Sequence, residues 1–252
     1  FKIAGIRLAD SKETMVYSRL SRRLRALGIK SFRDYLEKVE RDDIEQQEFV
    51  NALTTNLTSF FREVHHFVAL EKFLRTHKNV TAIWCAASST GEEPYSIAMS
   101  VLEYQRQRPG ALRAGVEIVA TDLSSEMLQK CELGIYDELS LARGLSPQRR
   151  QAFFQQNDSG LMQVKPDVRR MVSFRSLNLL SSYAALGRFD IVFCRNVLIY
   201  FSAEVKQRIL QQIAGQLQPQ GVLFLGASES ISAASDTYRM VKCHPGLYYQ
   251  KK

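Results

Sequence analysis

The stretch that decides the fold is residues 80–100, VTAIWCAASSTGEEPYSIAMS. It opens with a short run of apolar and β-branched residues, which is typical of a buried strand, crosses a polar loop and continues as an amphipathic segment. Pro94 has no backbone N–H and fits a helix only where that donor would be unpaired, so a helix should begin no earlier than Thr90 or Gly91. The pattern predicts a strand, a loop and a helix, the first unit of a parallel sheet.

The same alternation continues along the chain after this unit. The strand-like runs are GVEIVATD, MVSFRSL, FDIVFCRNV and GVLFLGAS, and helix-like segments include SSEMLQKCELG and the region from about Ala203 to Leu217. The C-terminus reads YRMVKC, then His244-Pro245-Gly246, then LYYQKK, which is typical of a hairpin. We therefore predict an α/β fold, a doubly wound parallel sheet with helices on both faces and a C-terminal antiparallel hairpin.

Two regions depart from the alternation. Before the sheet, apolar residues recur at helical spacing, as in Val16, Leu20, Leu24 and Leu27. This predicts a small all-helical N-terminal domain over residues 1–55 and a linker helix region over 56–78, ahead of a sheet domain over 79–252. Residues 135–172 are long for a connection, so we expect an inserted small β subdomain with a helix and a short hairpin.

Composition narrows the class of protein. Of the 252 residues, 45% are hydrophobic, enough for a core, and no apolar run approaches the roughly 18–20 residues that cross a bilayer. The start, FKIAGIRLAD, lacks the layout of a signal peptide. We expect a soluble, cytoplasmic protein without membrane insertion. Its net charge of +8 is compatible with an acidic partner.

The four cysteines show no metal or disulfide pattern. They are Cys85, Cys131, Cys194 and Cys243. Because they are far apart and two lie inside apolar strand runs, buried reduced thiols are expected rather than a disulfide frame or zinc site.

The loop after the first strand raises a question of charge. Many phosphate-binding loops at this point are rich in glycine, whereas this one carries one glycine and two adjacent acids, Glu92 and Glu93. Acidic residues in a first turn complement the helix dipole, and Thr90 with Glu93 has the spacing of a capping box. The alternative is a ligand with positive charge and no phosphate. S-adenosylmethionine, with its ammonium and sulfonium, is such a ligand.

Asp122 ends the next strand, GVEIVATD. Nucleoside-binding sheets place an acid there to accept hydrogen bonds from ribose hydroxyls. The same residue could cap the helix that follows. The local pattern leaves both interpretations open.

Three segments, in order, make a specific resemblance. They are NALTTNLTSFFRE (51–63), AASSTGEEPYS (86–96) and FDIVFCRNVLIYF (189–201), with Asp122 between the second and third. Together they resemble the CheR family, bacterial S-adenosylmethionine-dependent methyltransferases that esterify glutamate side chains of chemoreceptors during sensory adaptation. The resemblance covers nearly the whole chain. It implies that residues 79–252 form a Rossmann-like methyltransferase domain that converts S-adenosylmethionine to S-adenosylhomocysteine.

The resemblance also implies a set of cofactor-binding residues. They are Asn56, Thr58, Arg62, Glu93, Asp122, Asn178, Leu179, Asn196 and Val197. Each has a local alternative: the polar residues of the 56–59 segment could cap a helix, Arg62 could pair with Glu63, and the apolar residues could be core. Glu93, rather than Glu92, is the expected cofactor-binding acid.

Two residues are candidates for a catalytic role. A glutamate carboxylate is ionised at neutral pH, with an ordinary pKa of about 4.3, so the substrate needs no general base and the task is positioning. Arg62 is the candidate for orienting the incoming carboxylate, and Tyr200 for shaping the methyl-transfer pocket.

Partner predictions rest on the N-terminal segment SRLSRRLRALGIK. Its basic residues are Arg19, Arg22, Arg23, Arg25 and Lys30. The resemblance implies that such a helix meets the acidic methylation region of a receptor, and the alternative is a solvated helix face. The short turn QNDSG of the insertion favours an enzyme that needs no peptide tether on the receptor.

Other partners and functions are disfavoured or left open. Amino-methylating nucleic-acid enzymes carry an Asn/Asp-Pro-Pro-aromatic motif after the fourth strand, where this chain has RNVL at 195–198, so no nucleic acid is expected. A non-catalytic cofactor-binding signalling protein remains an alternative. His65 and His66 lack metal-ligand spacing and are predicted to pack or face solvent, and no metal is expected. We expect a monomer.

Overall fold

The computed structural model describes residues 5, 12–54, 56–77 and 79–252. The first elements are α1 (Glu13–Leu27), α2 (Phe32–Arg41), α3 (Asp43–Leu53), α4 (His65–Thr76), β1 (Ala82–Ala86), α5 (Glu92–Gln107), β2 (Glu117–Asp122) and α6 (Ser125–Leu133). There follow β3 (Ile135–Tyr136), α7 (Glu138–Ala142), α8 (Pro147–Phe153), β4 (Phe154–Gln156), β5 (Met162–Val164), α9 (Pro166–Arg169) and β6 (Val172–Ser176). The last are β7 (Phe189–Cys194), α10 (Ala203–Gln216), β8 (Leu217–Leu225), β9 (Tyr238–Cys243) and β10 (Gly246–Lys251).

The N-terminal domain consists of α1, α2 and α3. Leu20 and Leu24 lie one turn apart on α1 and pack against buried Tyr35 and Val39 of α2. Helix α1 ends at Gly28, whose φ of 68° is the left-handed conformation that glycine adopts without steric conflict. The predicted all-helical N-terminal domain is confirmed over the described residues.

The main sheet has seven strands in the order β6-β2-β1-β7-β8-β10-β9. The first five are parallel, while β10 is antiparallel to both β8 and β9. The predicted doubly wound sheet and C-terminal hairpin are confirmed. The order reverses between β1 and β7, and the carboxyl edge of an open sheet at such a point is where ligands bind.

Both faces of the sheet are covered. In β1, Ile83 and Cys85 point into a core shared with α4 and α5, whereas Trp84 and Ala86 point into a second core shared with α10. Because both faces are buried, the strand reads as a continuous apolar run rather than an alternating one.

The inserted region forms a small antiparallel sheet in the order β3-β5-β4. Its hairpin turn is closed by Asn157, whose side-chain oxygen accepts hydrogen bonds from the backbone N–H groups of Ser159 and Leu161. The predicted β hairpin is confirmed. The insertion holds the helices α7, α8 and α9 where one was expected, because helices of four to seven residues are too short to show a helical period in the sequence.

Two sequence expectations concern membranes and thiols. Across the described residues, every helix is too short or too polar to cross a bilayer. All four cysteines are free thiols, and Cys85, Cys131 and Cys194 are buried as expected.

Candidate active site

A pocket opens at the carboxyl edge of β1, β2 and β7, under the 56–64 loop, which is the segment of residues 56–64 between α3 and α4. It is lined by all ten residues that the sequence proposed for cofactor binding or catalysis. These are Asn56, Thr58, Arg62, Glu93, Asp122, Asn178, Leu179, Asn196, Val197 and Tyr200. Residues that are far apart in the chain therefore meet around one cavity.

The turn from β1 into α5 shapes one wall of the pocket. Gly91, with φ of 96°, is the residue that precedes the helix, and Glu92 and Glu93 are its first two residues. The hydroxyl of Thr90 donates to Glu92 Oε2 at 2.6 Å. The interpretation of Thr90 and Glu93 as a capping box, one of the two left open by the sequence, is therefore wrong: Gly91, not Thr90, occupies the capping position.

The two adjacent glutamates have different surroundings. Glu92 is 5% exposed, and burial raises the pKa of its carboxyl. Glu93 lines the pocket, where its carboxylate accepts hydrogen bonds from Arg195 Nη1 and, at 3.2 Å, from the thiol of Cys85. Of the pair, Glu93 is thus the acid that faces the cavity.

Asp122 ends β2 and holds two loops. Its carboxylate oxygens accept backbone hydrogen bonds from Ser89, at 2.8 Å, and from Ser124, at 2.9 Å. The hydroxyl of Ser124, which accepts from Met127 N, is the cap of α6, so the alternative that Asp122 caps this helix is wrong. Burial raises the Asp122 pKa. Each carboxylate oxygen has two acceptor sites, so capacity remains for ligand hydroxyls.

The 56–64 loop forms the roof of the pocket. Since α3 ends at Leu53 and α4 begins at His65, Asn56 and Thr58 cap neither helix, and that alternative is wrong. Phe61 N–H donates to the Ser96 hydroxyl of α5 at 3.0 Å, which fastens the loop to the sheet domain. Phe61 and Glu63 have φ of 50° and 58°, a left-handed backbone that non-glycine residues rarely adopt.

Arg62 lines the pocket and is half-buried. Its guanidinium Nη1 donates to the backbone oxygen of Leu57 at 3.0 Å. The sequence alternative that Arg62 pairs with Glu63 is wrong, because the carboxylate of Glu63 binds Arg195 instead.

The remaining walls come from the segments after β6 and β7. Asn178 Oδ1 accepts from Leu180 N at 2.9 Å and shapes the turn, while Leu179 is buried beside the core of α10. Asn196 has a left-handed backbone, with φ of 58°, and its N–H donates to Glu229 Oε2 at 2.8 Å. Val197 packs against the same core as Leu179.

Comparisons with known proteins identify the family of the chain. Residues 1–54 match the all-alpha domain of CheR methyltransferases, and residues 56–247 match their SAM binding domain. The chain belongs to the CheR methyltransferase family. It is therefore a methyltransferase of bacterial chemotaxis that uses S-adenosylmethionine. The domain boundaries predicted at residues 55 and 78 stay predictions.

Individual CheR-family relatives match over most of their length. A chemotaxis protein methyltransferase of Vibrio parahaemolyticus is 48% identical over 254 residues, which cover 98% of this chain and 92% of the relative. One from Pseudomonas putida is 47% identical over 260 residues, covering 100% of this chain and 94% of that protein. The chemotaxis protein methyltransferase of Escherichia coli is 44% identical, with coverages of 92% and 82%.

Three charged residues of this CheR-family site have no role that the sequence predicted. Arg195 follows β7, and its side chain is fully buried. Glu63 is its partner in the loop, and Glu229 accepts backbone hydrogen bonds from Asn196, Leu198 and Gly226 at 2.7–2.8 Å. The available signal was Arg195 itself, a charge directly after the apolar run FDIVFC.

The two histidines lie beside this network. Ligand atoms of Glu63, His65 and His66 come within 4.8 Å of one another, which the sequence spacing did not indicate. Burial lowers the pKa of His66 to about 3, so its ring is neutral. Because Arg195 Nη2 lies 3.0 Å from the same Glu63 carboxylate, a metal cation there would face a guanidinium. The prediction that neither histidine binds metal stays a prediction.

The basic residues of the segment SRLSRRLRALGIK, which covers the end of α1 and the residues after it, divide into two groups. Arg19 donates to the backbone oxygens of Ala52 and Thr54, and Arg23 forms a bidentate pair with Glu45. The second group projects into solvent: Arg22, Arg25 and Lys30. The geometry therefore ties Arg19 and Arg23 to the N-terminal domain itself and leaves the second group accessible to a partner.

Proposed function

We propose that the protein is a protein-glutamate O-methyltransferase, which transfers a methyl group from S-adenosylmethionine to glutamate side chains in the cytoplasmic methylation region of chemoreceptors. The observation that carries the proposal is the single pocket that unites the 56–64 loop, Glu93 and Asp122. Chemotaxis methyltransferases similar to this chain over more than nine-tenths of its length support the pathway.

The residues of the pocket suit a cationic nucleoside. Carboxylates stand at the start of α5 and at the end of β2, where a phosphate ligand would be repelled. We assign Glu93 to the amine of the methionine part and Asp122 to the ribose hydroxyls, while Leu179 and Val197 supply apolar walls. When bound, S-adenosylmethionine supplies a methyl group on a positively charged sulfur. The product, S-adenosylhomocysteine, would use the same contacts.

The chain's own task at the substrate end is to orient a carboxylate and exclude water. A glutamate side chain is already ionised near neutral pH, so no general base is required. Arg62 lines the pocket, and its guanidinium has further N–H donors beyond the one that binds Leu57 O, which can donate to a carboxylate oxygen. Tyr200 lines the same pocket and is the candidate for shaping the space around the transferred methyl group.

The chemistry of the product provides the decisive test. The purified chain is incubated with methyl-labelled S-adenosylmethionine and the cytoplasmic domain of a chemoreceptor. We expect label on the receptor that is released as methanol by mild base, as an ester requires. The matched control replaces the methylatable glutamates of the receptor by alanine, which should abolish labelling. Label that resists base, or label on added RNA, would contradict the proposal.

A second experiment tests Arg62 within this function. Arg62→Ala should lower kcat for receptor methylation by about a hundredfold, since the incoming carboxylate is no longer oriented towards the methyl group. Arg239→Ala, an exposed arginine on the edge strand β9, is the control and should keep full activity. Full methyl transfer and unchanged cofactor affinity in Arg62→Ala would refute the assignment.

A further inference from the structure

Arg195 is the one charged side chain of the described pocket lining that is completely buried, and it joins three segments. Its guanidinium donates from Nη1 to Glu93 at the start of α5, and from Nη2 to Glu63 Oε2 at 3.0 Å. Nη2 also donates to the backbone oxygen of Arg62, at 2.5 Å. Arg195, at the end of β7, thus binds Glu93 through Nη1 and the 56–64 loop through Nη2.

We propose that Arg195 is a positioning residue: it fixes Glu93 for the cofactor and Arg62 for the substrate at the same time, so that both ends of the pocket are assembled together. This inference deepens the proposed function and rests on it. Arg195 itself touches neither reactant in this scheme and acts through its two neighbours.

The contacts of Arg195 with the 56–64 loop show how it positions Arg62. Arg62 and Glu63 are consecutive, and Arg195 holds the carbonyl of the first and the carboxylate of the second. The Glu63 carboxylate is further held by Ala227 N–H at 3.1 Å and by the Asn196 amide at 3.4 Å. With the backbone held at both residues, Arg62 is kept where its side chain lines the pocket.

Burial gives a second argument. Removing a guanidinium from water is unfavourable unless acids compensate it, and a well-packed apolar side chain often serves stability equally well. Within the described part of the chain, Arg195 Nε has no hydrogen-bond partner, which adds to the desolvation penalty. Stability alone therefore gives no reason for this charge, whereas the placement of two pocket residues does.

Charge balance points to the same conclusion. One guanidinium faces two carboxylates, those of Glu93 and Glu63, so the buried group keeps a net negative charge. That excess faces the cavity through Glu93, where a cationic ligand would be attracted. Local strain is consistent with a functional network, because Glu63 and Asn196 both have a left-handed backbone.

The first test replaces the guanidinium of Arg195, which has several N–H donors in one plane, by the single ammonium of a lysine. Arg195→Lys keeps the positive charge but cannot reach Glu93, Glu63 and the Arg62 carbonyl together. We expect S-adenosylhomocysteine to bind about tenfold more weakly in calorimetry, and kcat for receptor methylation to fall by about tenfold as well, from the loss of charge-assisted hydrogen bonds. The control is Arg150→Lys, which breaks a bidentate pair with Glu138 in the small subdomain and should alter neither quantity.

The second variant separates the two ends. Glu63→Gln leaves the contact between Arg195 and Glu93 in place and loosens only the loop. It should lower kcat by about tenfold and weaken the binding of S-adenosylhomocysteine by no more than about threefold, because the substrate end is released while Glu93 keeps its contact with Arg195 and only the net charge of the network changes. If Arg195→Lys does not fold, the difference between the effects of Glu63→Gln on kcat and on the affinity for S-adenosylhomocysteine tests the proposal by itself.

The outcomes separate this inference from the proposed function. Unchanged cofactor affinity in folded Arg195→Lys, or equal loss of affinity and kcat in Glu63→Gln, would overturn the role of Arg195. A wild-type chain that binds S-adenosylhomocysteine but never forms base-labile esters would overturn the proposed substrate. In that case, the calorimetric binding of S-adenosylhomocysteine to Arg195→Lys would still test whether Arg195 positions Glu93.

Discussion

Arg23 and Glu45 form a bidentate ion pair inside the N-terminal domain. Arg23 Nε lies 2.8 Å from Glu45 Oε1, and its Nη2 lies 2.7 Å from Oε2. The hydroxyl of Tyr35 donates to the same carboxylate at 2.9 Å, and Glu45 is only 2% exposed. Arg22, one position earlier and about 100° around the helix, points into solvent instead.

Charge reversal at these neighbours should therefore separate binding from folding. Arg22→Glu should keep the free energy of unfolding within about 0.5 kcal/mol of the wild type, yet slow receptor methylation about tenfold at low salt through lost electrostatic attraction. Arg23→Glu should destabilise the chain by about 3 kcal/mol, since it leaves the carboxylate of Glu45 buried beside another acid. Urea unfolding and initial methylation rates measure the two effects.

Salt provides the control for that comparison. The defect of Arg22→Glu should shrink as ionic strength rises, because exposed charges are screened within about 10 Å at 0.1 M. Cofactor affinity should be unchanged. If the slower methylation by Arg22→Glu does not depend on ionic strength, α1 does not bind the receptor through electrostatic attraction.

The same ion pair predicts an acid-sensitive N-terminal domain. The hydrogen bonds from Arg23 lower the pKa of Glu45 below its ordinary value of 4.5, in spite of burial. A depressed folded-state pKa means that the stabilisation is complete above pH 4.5 and is lost as the pH falls through the lower folded value. The wild type should thus exceed Glu45→Gln in melting temperature at pH 7, with the gap closing below pH 4.5. A constant gap from pH 7 to pH 3 would exclude the mechanism.

The fold and the positions of Glu93 and Asp122 were predictable because they depend on local patterns. The apolar runs of β1, β2 and β7 end at one edge of a parallel sheet, and Pro94 fixes the start of α5, so Glu93 and Asp122 had to come close. The family resemblance predicted the other residues of the pocket lining, such as Leu179, which no local pattern indicates.

The ion-pair network was not predictable, because its partners are distant in sequence. Arg195 and Glu63 are 132 residues apart in the sequence. Only the folded chain shows that Glu63 pairs with Arg195 rather than with its neighbour Arg62. The capping box failed for a related reason: Thr90 and Glu93 have the right spacing, but Gly91, with its positive φ, shifts the helix start by one residue.

Substituting the two adjacent glutamates one at a time tests the assignment of Glu93. Glu93→Gln should weaken binding of S-adenosylhomocysteine by at least about tenfold, because the carboxylate that faces the pocket loses its charge. Glu92→Gln should leave affinity unchanged. Burial raises the pKa of Glu92, so its ionised form opposes folding at neutral pH, and the neutral amide should keep or slightly raise the melting temperature. Equal losses of affinity in both variants would contradict the distinction.

Gly144 offers a test of how the small subdomain supports the loop over the pocket. It lies between α7 and α8 with φ of 83°, and an added Cβ would come 1.9 Å from the backbone oxygen of Phe60. Gly160 also has a positive φ, of 75°, but open space around it. Gly160→Ala should cost about 1 kcal/mol from backbone strain alone. Gly144→Ala should cost at least about 2 kcal/mol more, since the clash cannot be relieved by a rotamer change.

The functional consequence of Gly144→Ala follows from the position of Phe60, two residues before Arg62. Displacing its carbonyl must move the 56–64 loop, so kcat for receptor methylation should fall even at temperatures where the variant is fully folded. Gly160→Ala, with its strain confined to the hairpin turn between β4 and β5, should keep the wild-type kcat. Thermal unfolding by circular dichroism and methylation assays on both variants give the comparison. Equal stability and equal activity in the two would mean that the small subdomain does not brace the loop.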